Sequence, residues 1–198
     1  MAPGAVVQLE SYFRLLARWN PKINLTALPL HPPSAETFDR LLVEPLVAAR
    51  YIADSPLIWF DLGSGGGSPA IPIKILRPQA RLTMVESRTR KAAFLREAVR
   101  ELGLANVRVE NARFEQASTR WARTAEIVTL RAVRADAVLF SAVVKLLAEG
   151  GRLLWFGSEG NEPEPGCRFQ QLETVRLTGK RGSILVVLRR MFHVEQTS

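Results

Sequence analysis

Apolar residues recur at helical spacing through residues 5–19, AVVQLESYFRLLARW, where Leu9, Tyr12, Phe13, Leu16 and Trp19 fall on one stripe. Intervals of three and four predict an amphipathic helix lying on a larger body. The next segment, NPKINLTALPLHPPSAETFDRLLVEPLVAARYI, begins as a proline-rich connection. Helical spacing resumes in its second half through Phe38, Leu41, Leu42 and Leu46. Residues 1–54 are therefore expected to form a helical cap, in one compact unit with a second part over 55–198.

From Leu57 onward the pattern changes. Short apolar runs, LIWFDL, RLTMVE, VRVEN, AEIVTL and GRLLWF, are separated by the helical patterns PAIPIKILR, RTRKAAFLREAVRELG, RFEQASTRWAR and RADAVLFSAVVKLLAEG. Strand and helix in alternation predict an α/β fold with a parallel sheet covered on both faces. FQQLETVRLT and SILVVLRR are joined only by GKRG. Four residues are too few for a parallel crossover, so these last strands are expected to form an antiparallel hairpin at one edge. The chain carries neither an internal repeat nor a low-complexity tract.

The first strand runs into DLGSGGGSP, where Gly63, Gly65 and Gly67 precede Ser68. Glycine adopts backbone conformations closed to other residues and lets a ligand approach the chain closely, and open sheets bind ligands at the carboxyl ends of their strands. Ser68 stands where the dinucleotide fingerprint has its third glycine. Asp61, ahead of the loop, would repel a pyrophosphate but suits, at one remove, the cationic aminoacyl part of S-adenosylmethionine. Glu86 ends the second strand about 20 residues past the loop, the place from which an acid accepts hydrogen bonds from ribose hydroxyls. With the antiparallel hairpin, these features predict a class I S-adenosylmethionine-dependent methyltransferase, a Rossmann-like fold with a mostly parallel seven-stranded sheet.

Charge and composition narrow the partners. The net charge is +8, and arginine outnumbers lysine. Such a chain attracts polyanions, and guanidinium groups suit bidentate phosphate contacts. Cys167, His31 and His193 are the only Cys and His residues, too few for a zinc-type cluster or an internal disulfide. No uninterrupted apolar stretch reaches ~18 residues, and the start has no secretory pattern, so a cytoplasmic protein is expected.

WNPKINLTAL, FDLGSGGGSPAIPI, ESRTRKAAFLREAV, ARFE and LRAV resemble, in order and spacing, the bacterial 16S rRNA (guanine-N7) methyltransferase family, also known as glucose-inhibited division protein B. The resemblance covers nearly the whole chain up to the last hairpin. It implies methyl transfer from S-adenosylmethionine to N7 of a guanine in the decoding-region (530) loop of small-subunit rRNA. The residue inventory agrees: guanine N7 carries an in-plane lone pair and needs no general base. The lone thiol, Cys167, lies in an irregular stretch unsuited to cytosine C5 chemistry. By position, Asp61, Gly63, Ser64, Gly65 and Gly67 are expected around the methionine end of the cofactor, and Glu86 on its ribose. Asn111, Ala112 and Arg113 are expected beside its adenine. Arg131 is expected on the side where the target base arrives, with a structural pairing to a carboxylate such as Glu115 as its alternative. Lys22, Arg88, Arg90 and Lys91 are the expected RNA contacts; no metal is expected, and the protein is expected to act as a monomer.

The chain departs from the family pattern in three places. Where the family usually has Arg-His followed by Asp-Ser in the second cap helix, this sequence has Arg40, Leu41, Glu44 and Pro45. No lysine follows strand five in LLWFGSEG, and Glu86 stands for the more usual Asp. Three other readings are weighed beside the main one: a non-catalytic or relic ribosome-binding protein, a methyltransferase for another RNA base, and an NAD(P) oxidoreductase.

Overall fold

The computed structural model of the protein describes residues 3–133, 136–164, 166–177 and 182–191. The first helix, α1 (Pro3–Ile23), is longer than its apolar stripe and buries Leu9, Tyr12, Leu15 and Leu16. After the proline-rich connection come α2 (Ala35–Phe38), a π-helical turn (Asp39–Val43), α3 (Glu44–Ala48) and a 3-10 turn (Ala49–Tyr51). Ser34 starts this run by accepting from the Thr37 N–H, while the Thr37 hydroxyl accepts from the Ser34 N–H. That reciprocal pair satisfies donors left free at a helix start. The regular helix expected through Leu46 is therefore interrupted at its centre. Pro45 has no N–H, and Glu44 donates to Asp39 rather than to Arg40, so the turn widens.

Seven strands then form one sheet: β1 (Ile58–Leu62), β2 (Arg81–Val85), β3 (Val107–Glu110), β4 (Ala125–Arg131), β5 (Leu147–Ser158), β6 (Phe169–Arg176) and β7 (Ser183–Arg190). Their order is β3-β2-β1-β4-β5-β7-β6. The pairs from β3 through β5 are parallel, and β7 pairs antiparallel with both β5 and β6. The expected antiparallel hairpin thus forms, with the final strand turned inward and β6 at the edge. Residues 179–181 of its connecting GKRG and the expected tail containing His193 lie outside the described residues.

The four crossover helices are α4 (Ala70–Leu76), α5 (Thr89–Glu101), α6 (Phe114–Arg120) and α7 (Ala137–Leu146). The last is shorter than its sequence pattern suggested. Leu147 leaves the helix in extended conformation and pairs with Ala125, so LAEG begins β5 instead of ending α7.

Strand residues alternate between two apolar cores, as a period of two requires. Trp59, Leu82, Met84, Ile127 and Leu154 face α1, α4, α5 and the cap; Phe60, Leu62, Val85, Val128 and Leu130 face α6 and α7. The buried residues of α1 belong to the same core as β1 and β2, and Trp19 meets Phe94 edge to face at 5.9 Å. The cap is consequently packed directly on one face of the sheet. Among the described residues no helix is long and apolar enough to cross a membrane.

Candidate functional site

The glycine loop leaves β1 at its carboxyl end and returns beneath the start of α4. Gly63 and Ser64 donate their N–H groups to the Val85 carbonyl at 2.9 and 3.2 Å, and Gly67 donates to the Ser64 carbonyl at 2.7 Å. Two positions demand glycine. Gly63 has φ +72°, and a Cβ there would meet Val133 Cγ2 at 2.7 Å; Gly67 has φ +89°, and its Cβ would meet Ile71 Cδ1 at 2.5 Å. The loop is thus folded tightly against α4 and the segment after β4, with Gly63 exposed and Gly67 buried.

Glu86 holds this loop from the neighbouring strand. One carboxylate oxygen accepts from the Gly65 N–H at 2.9 Å and the other from the Arg88 N–H at 2.8 Å. The Asn111 side chain donates to the Glu86 and Ser87 carbonyls at 2.9 and 3.1 Å, fastening the end of β2 to the segment after β3. Between them lies a 280 Å³ cavity lined by Gly63, Val85, Ser87, Ala112, Arg113, Phe114 and Glu115. Of the expected cofactor residues, Gly63, Ala112 and Arg113 line this cavity directly. Gly65, Glu86 and Asn111 are not among its lining residues, but Glu86 and Asn111 are the chain neighbours of Val85, Ser87 and Ala112, which are.

Asp61 and Ser64 lie beneath the loop. Asp61 is buried, accepts a short hydrogen bond from the Thr129 hydroxyl, and lies next to Ser64, whose hydroxyl donates to the Asp61 carbonyl at 3.0 Å. The Trp59 indole in turn donates to Thr129 at 3.0 Å. Burial pushes the Asp61 carboxyl up to about 6, against the lowering effect of Thr129, Ser64 and the Arg131 charge. Further positive charge arriving near it would favour its ionised form.

Arg131, at the end of β4, is placed differently from its expected role at an open approach side. Its side chain is 11% exposed and forms a 2.6 Å ion pair with Glu44, itself 2% exposed. Its guanidinium also donates to the Arg40 carbonyl and lies 4.4 Å from the centre of the Phe156 ring. The carboxylate partner is therefore Glu44 of the cap, not Glu115. Burial pulls the Arg131 guanidinium down to about 10, opposed chiefly by Glu44, so it stays charged at neutral pH.

The four expected RNA contacts converge. Lys22 at the end of α1 and Arg88, Arg90 and Lys91 at the start of α5 line one 420 Å³ groove with Pro21, Ile23, Asn24 and Thr89. No acidic residue lines it, and none of the four cations is in an ion pair among the described residues. Cys167 is exposed, and no group of three or more His, Cys, Asp and Glu able to hold a metal occurs among the described residues.

Sequence reasoning did not assign Tyr12, Ser68 or Thr129 to the site. The Tyr12 hydroxyl donates to the Gly66 carbonyl at 2.7 Å, and the Ser68 hydroxyl to the Leu41 carbonyl at 3.0 Å. One signal was available for Tyr12, a hydroxyl on an otherwise apolar helical stripe, because a buried phenol needs a partner. Ser68 and Thr129 carry no comparable local mark.

Strand order, reversed last strand and glycine loop define the class I S-adenosylmethionine-dependent methyltransferase architecture. The solved structure of a mutant of MtNAS in complex with S-adenosylmethionine superposes with a TM-score of 0.64 at 14% identity, covering 96% of this chain and 74% of that one. A SAM-dependent methyltransferase from Aquifex aeolicus gives 0.60 at 12% identity, covering 80% and 94%. At the level of sequence, the family described as GidB, rRNA small subunit methyltransferase G, matches residues 5–180. The ribosomal RNA small subunit methyltransferase G of Neisseria gonorrhoeae is 38% identical over 192 residues, 92% of this chain and 88% of that protein. That of Xylella fastidiosa is 37% identical over 91% and 86%. The chain belongs to the rRNA small subunit methyltransferase G family.

Proposed function

We propose that the protein transfers a methyl group from S-adenosylmethionine to N7 of a guanine in the decoding-region loop of 16S rRNA. It acts as a cytoplasmic monomer on the small ribosomal subunit, without a metal ion, and residues 1–54 and 55–198 work as one compact unit.

The observation that carries this reading is the cavity beside Gly63. Val85, Ala112 and Phe114 offer apolar surface to a flat purine, and the Gly63 backbone faces the space without a side chain. Glu86 uses one acceptor position on each oxygen to hold Gly65 and Arg88. A carboxylate has about four such positions, so two remain for ribose hydroxyls. Asp61 is close enough to the loop to favour a cationic aminoacyl group above it. These residues fit S-adenosylmethionine and disfavour a pyrophosphate, whose charge would oppose Asp61. When bound, that cofactor supplies an electrophilic methyl group.

The chain's own residues have three tasks. Gly63, Ser64, Gly65 and Gly67 with Asp61 hold the methionine end; Glu86 holds the ribose; Asn111, Ala112 and Arg113 border the adenine. Guanine N7 attacks with its own lone pair, so no side chain removes a proton. Catalysis then rests on placing the nucleophile in line and excluding water. Arg131 contributes to placing the target indirectly, through the cap turn and the Ser68 end of the loop that it contacts, while Arg113 lines the cavity itself. The groove of Lys22, Arg88, Arg90 and Lys91 takes phosphates of the RNA backbone, which position the strand without reading its sequence.

The deciding experiment is transfer of labelled methyl to small ribosomal subunits from a strain lacking the modification, with the label mapped to a nucleotide. Label at N7 of a single decoding-region guanine is expected. Cofactor binding without transfer to any assembly state of the RNA would favour a ribosome-binding protein with a relic pocket.

A further inference from the structure

In a regular helix the carbonyls of Arg40 and Leu41 would accept from the N–H groups four residues on, those of residues 44 and 45. Here the Glu44 N–H reaches Asp39 instead, and Pro45 has none to give. Both carbonyls are left without their ordinary donors. Each is supplied from the site: Arg131 donates to the Arg40 carbonyl, and the Ser68 hydroxyl to the Leu41 carbonyl at 3.0 Å. Arg131 Nη1 also lies 3.4 Å from Ser68 Oγ.

A single widened turn of the cap therefore holds both the end of the glycine loop and the end of β4. On the proposed reading, the glycine loop and the end of β4 are the segments that hold cofactor and target relative to each other. Glu44 fixes the arrangement electrostatically, through its 2.6 Å pair with Arg131. The pair is not optimised for stability. Glu44 Oε1 and Arg131 Nε are both buried and lack a hydrogen-bond partner in the structure. A buried pair with unsatisfied atoms is a weak source of stability compared with apolar side chains of similar size. What the pair does at this junction is geometric: it fixes Arg131 against the Arg40 carbonyl and beside Ser68.

We infer that Glu44, acting through Arg131 and the π-helical turn ahead of Pro45, is a positioning residue for methyl transfer that sets the glycine loop relative to the target's approach. Glu44 is 2% exposed and lines neither the cavity beside Gly63 nor the basic groove. It determines the orientation of Arg131, and Arg131 with Ser68 locks the turn to the loop. The inference rests on the proposed methyl-transfer reaction for its kinetic readout and on cofactor affinity for an independent one.

The experiment compares the wild type with Glu44→Gln, the paired apolar variant Glu44→Met with Arg131→Leu, and Pro45→Ala. Methyl transfer to unmodified small subunits gives kcat and KM, calorimetry gives S-adenosylmethionine affinity, and thermal unfolding gives Tm. Misplacement of reacting groups by about 1 Å costs up to about 100-fold. Glu44→Gln is accordingly expected to lower kcat by about 10- to 100-fold, with a smaller change in KM and weaker cofactor binding. The apolar pair is expected to recover Tm while leaving kcat and cofactor affinity low. Pro45→Ala returns a donor to the Leu41 carbonyl and is expected to lower kcat without lowering Tm. Recovery of kcat and affinity together with Tm in the apolar pair would overturn the inference, as would a Pro45→Ala protein with wild-type kcat and cofactor affinity. Absence of transfer by the wild type would strike the proposed reaction alone, because the cofactor affinities of the variants would still decide whether the pair sets the loop.

Discussion

The Tyr12 hydroxyl lies 2.7 Å from the carbonyl oxygen of Gly66 and donates to it across 54 residues of sequence. A helix of the cap is thereby attached to the middle of the glycine loop. The phenol ring is fully buried, and burial raises the Tyr12 hydroxyl well above its usual range, so it remains a protonated donor.

Tyr12→Phe removes that donor while keeping the ring. Leaving a fully buried carbonyl unpaired costs about 1–3 kcal/mol, an upper range for the half-buried Gly66. Urea unfolding is expected to show a loss within that range, together with weaker S-adenosylmethionine binding. Unchanged cofactor affinity at reduced stability would confine the contact to folding.

Asp61 predicts a pH dependence. Its folded value of about 6 lies above the ordinary carboxylate value, so the folded chain holds this proton more tightly than the unfolded one. The stabilising contribution is present below about pH 4 and is lost as pH rises through about 6, amounting to about 3 kcal/mol. A cationic group bound above the loop reverses the preference and favours ionised Asp61. S-adenosylmethionine affinity is therefore expected to fall as pH drops from 7 to 5, with proton release on binding near pH 6. Asp61→Asn is expected to bind weakly at every pH; a pH-dependent affinity surviving in that variant would place the titrating group elsewhere.

Gly63→Ala tests the loop's close approach to the segment after β4. The new Cβ would stand 2.7 Å from Val133 Cγ2, at φ +72°. Left-handed backbone costs a non-glycine residue about 1–2 kcal/mol, in addition to the steric clash. Adding Val133→Ala is expected to relieve the clash and recover only part of the lost stability, because the backbone cost remains. Chemical denaturation of the single and double variants separates the two contributions.

Reversing Arg90 and Lys91 to glutamate changes the net charge from +8 to +4, since each reversal subtracts two. Filter binding to small-subunit RNA across a salt series is expected to show lower affinity and a slope of log K against log salt shallower by about 0.7 for each phosphate no longer neutralised. Calorimetry should find S-adenosylmethionine affinity unchanged. Equal loss of both affinities would point to damaged folding.

Much of this architecture is legible in the sequence because strands and helices impose different periods. LIWFDL and RLTMVE lie on β1 and β2, and the short GKRG link correctly implied an antiparallel pair. The placement of the glycine loop and Glu86 was readable because it depends on local position: ahead of a helix, and at the end of the next strand. The boundary between α7 and β5 was less so, since KLLAEG is equally apolar as a helix end or a strand start. Only pairing of Leu147 with Ala125 decides it. The least legible feature was the partner of Arg131. Glu44 is 87 residues away, and its sequence surroundings register only as a departure from the family pattern. Long-range pairing of side chains leaves no periodic trace, and the carboxylate offered as the alternative partner, Glu115, was the wrong choice.

The position of β7 has a consequence for biosynthesis. Among the described residues it is the last strand in sequence, yet it lies between β5 and β6, hydrogen-bonded to both. A nascent chain still holding residues 183–190 inside the ribosomal tunnel has two strands with no third to join them. Closure of that half of the sheet, and of the apolar core formed by Ile184, Val186 and Leu188 on one face, must wait until residue 190 has emerged. Closure of this half of the sheet is thus tied to the emergence of β7, whatever has folded before it.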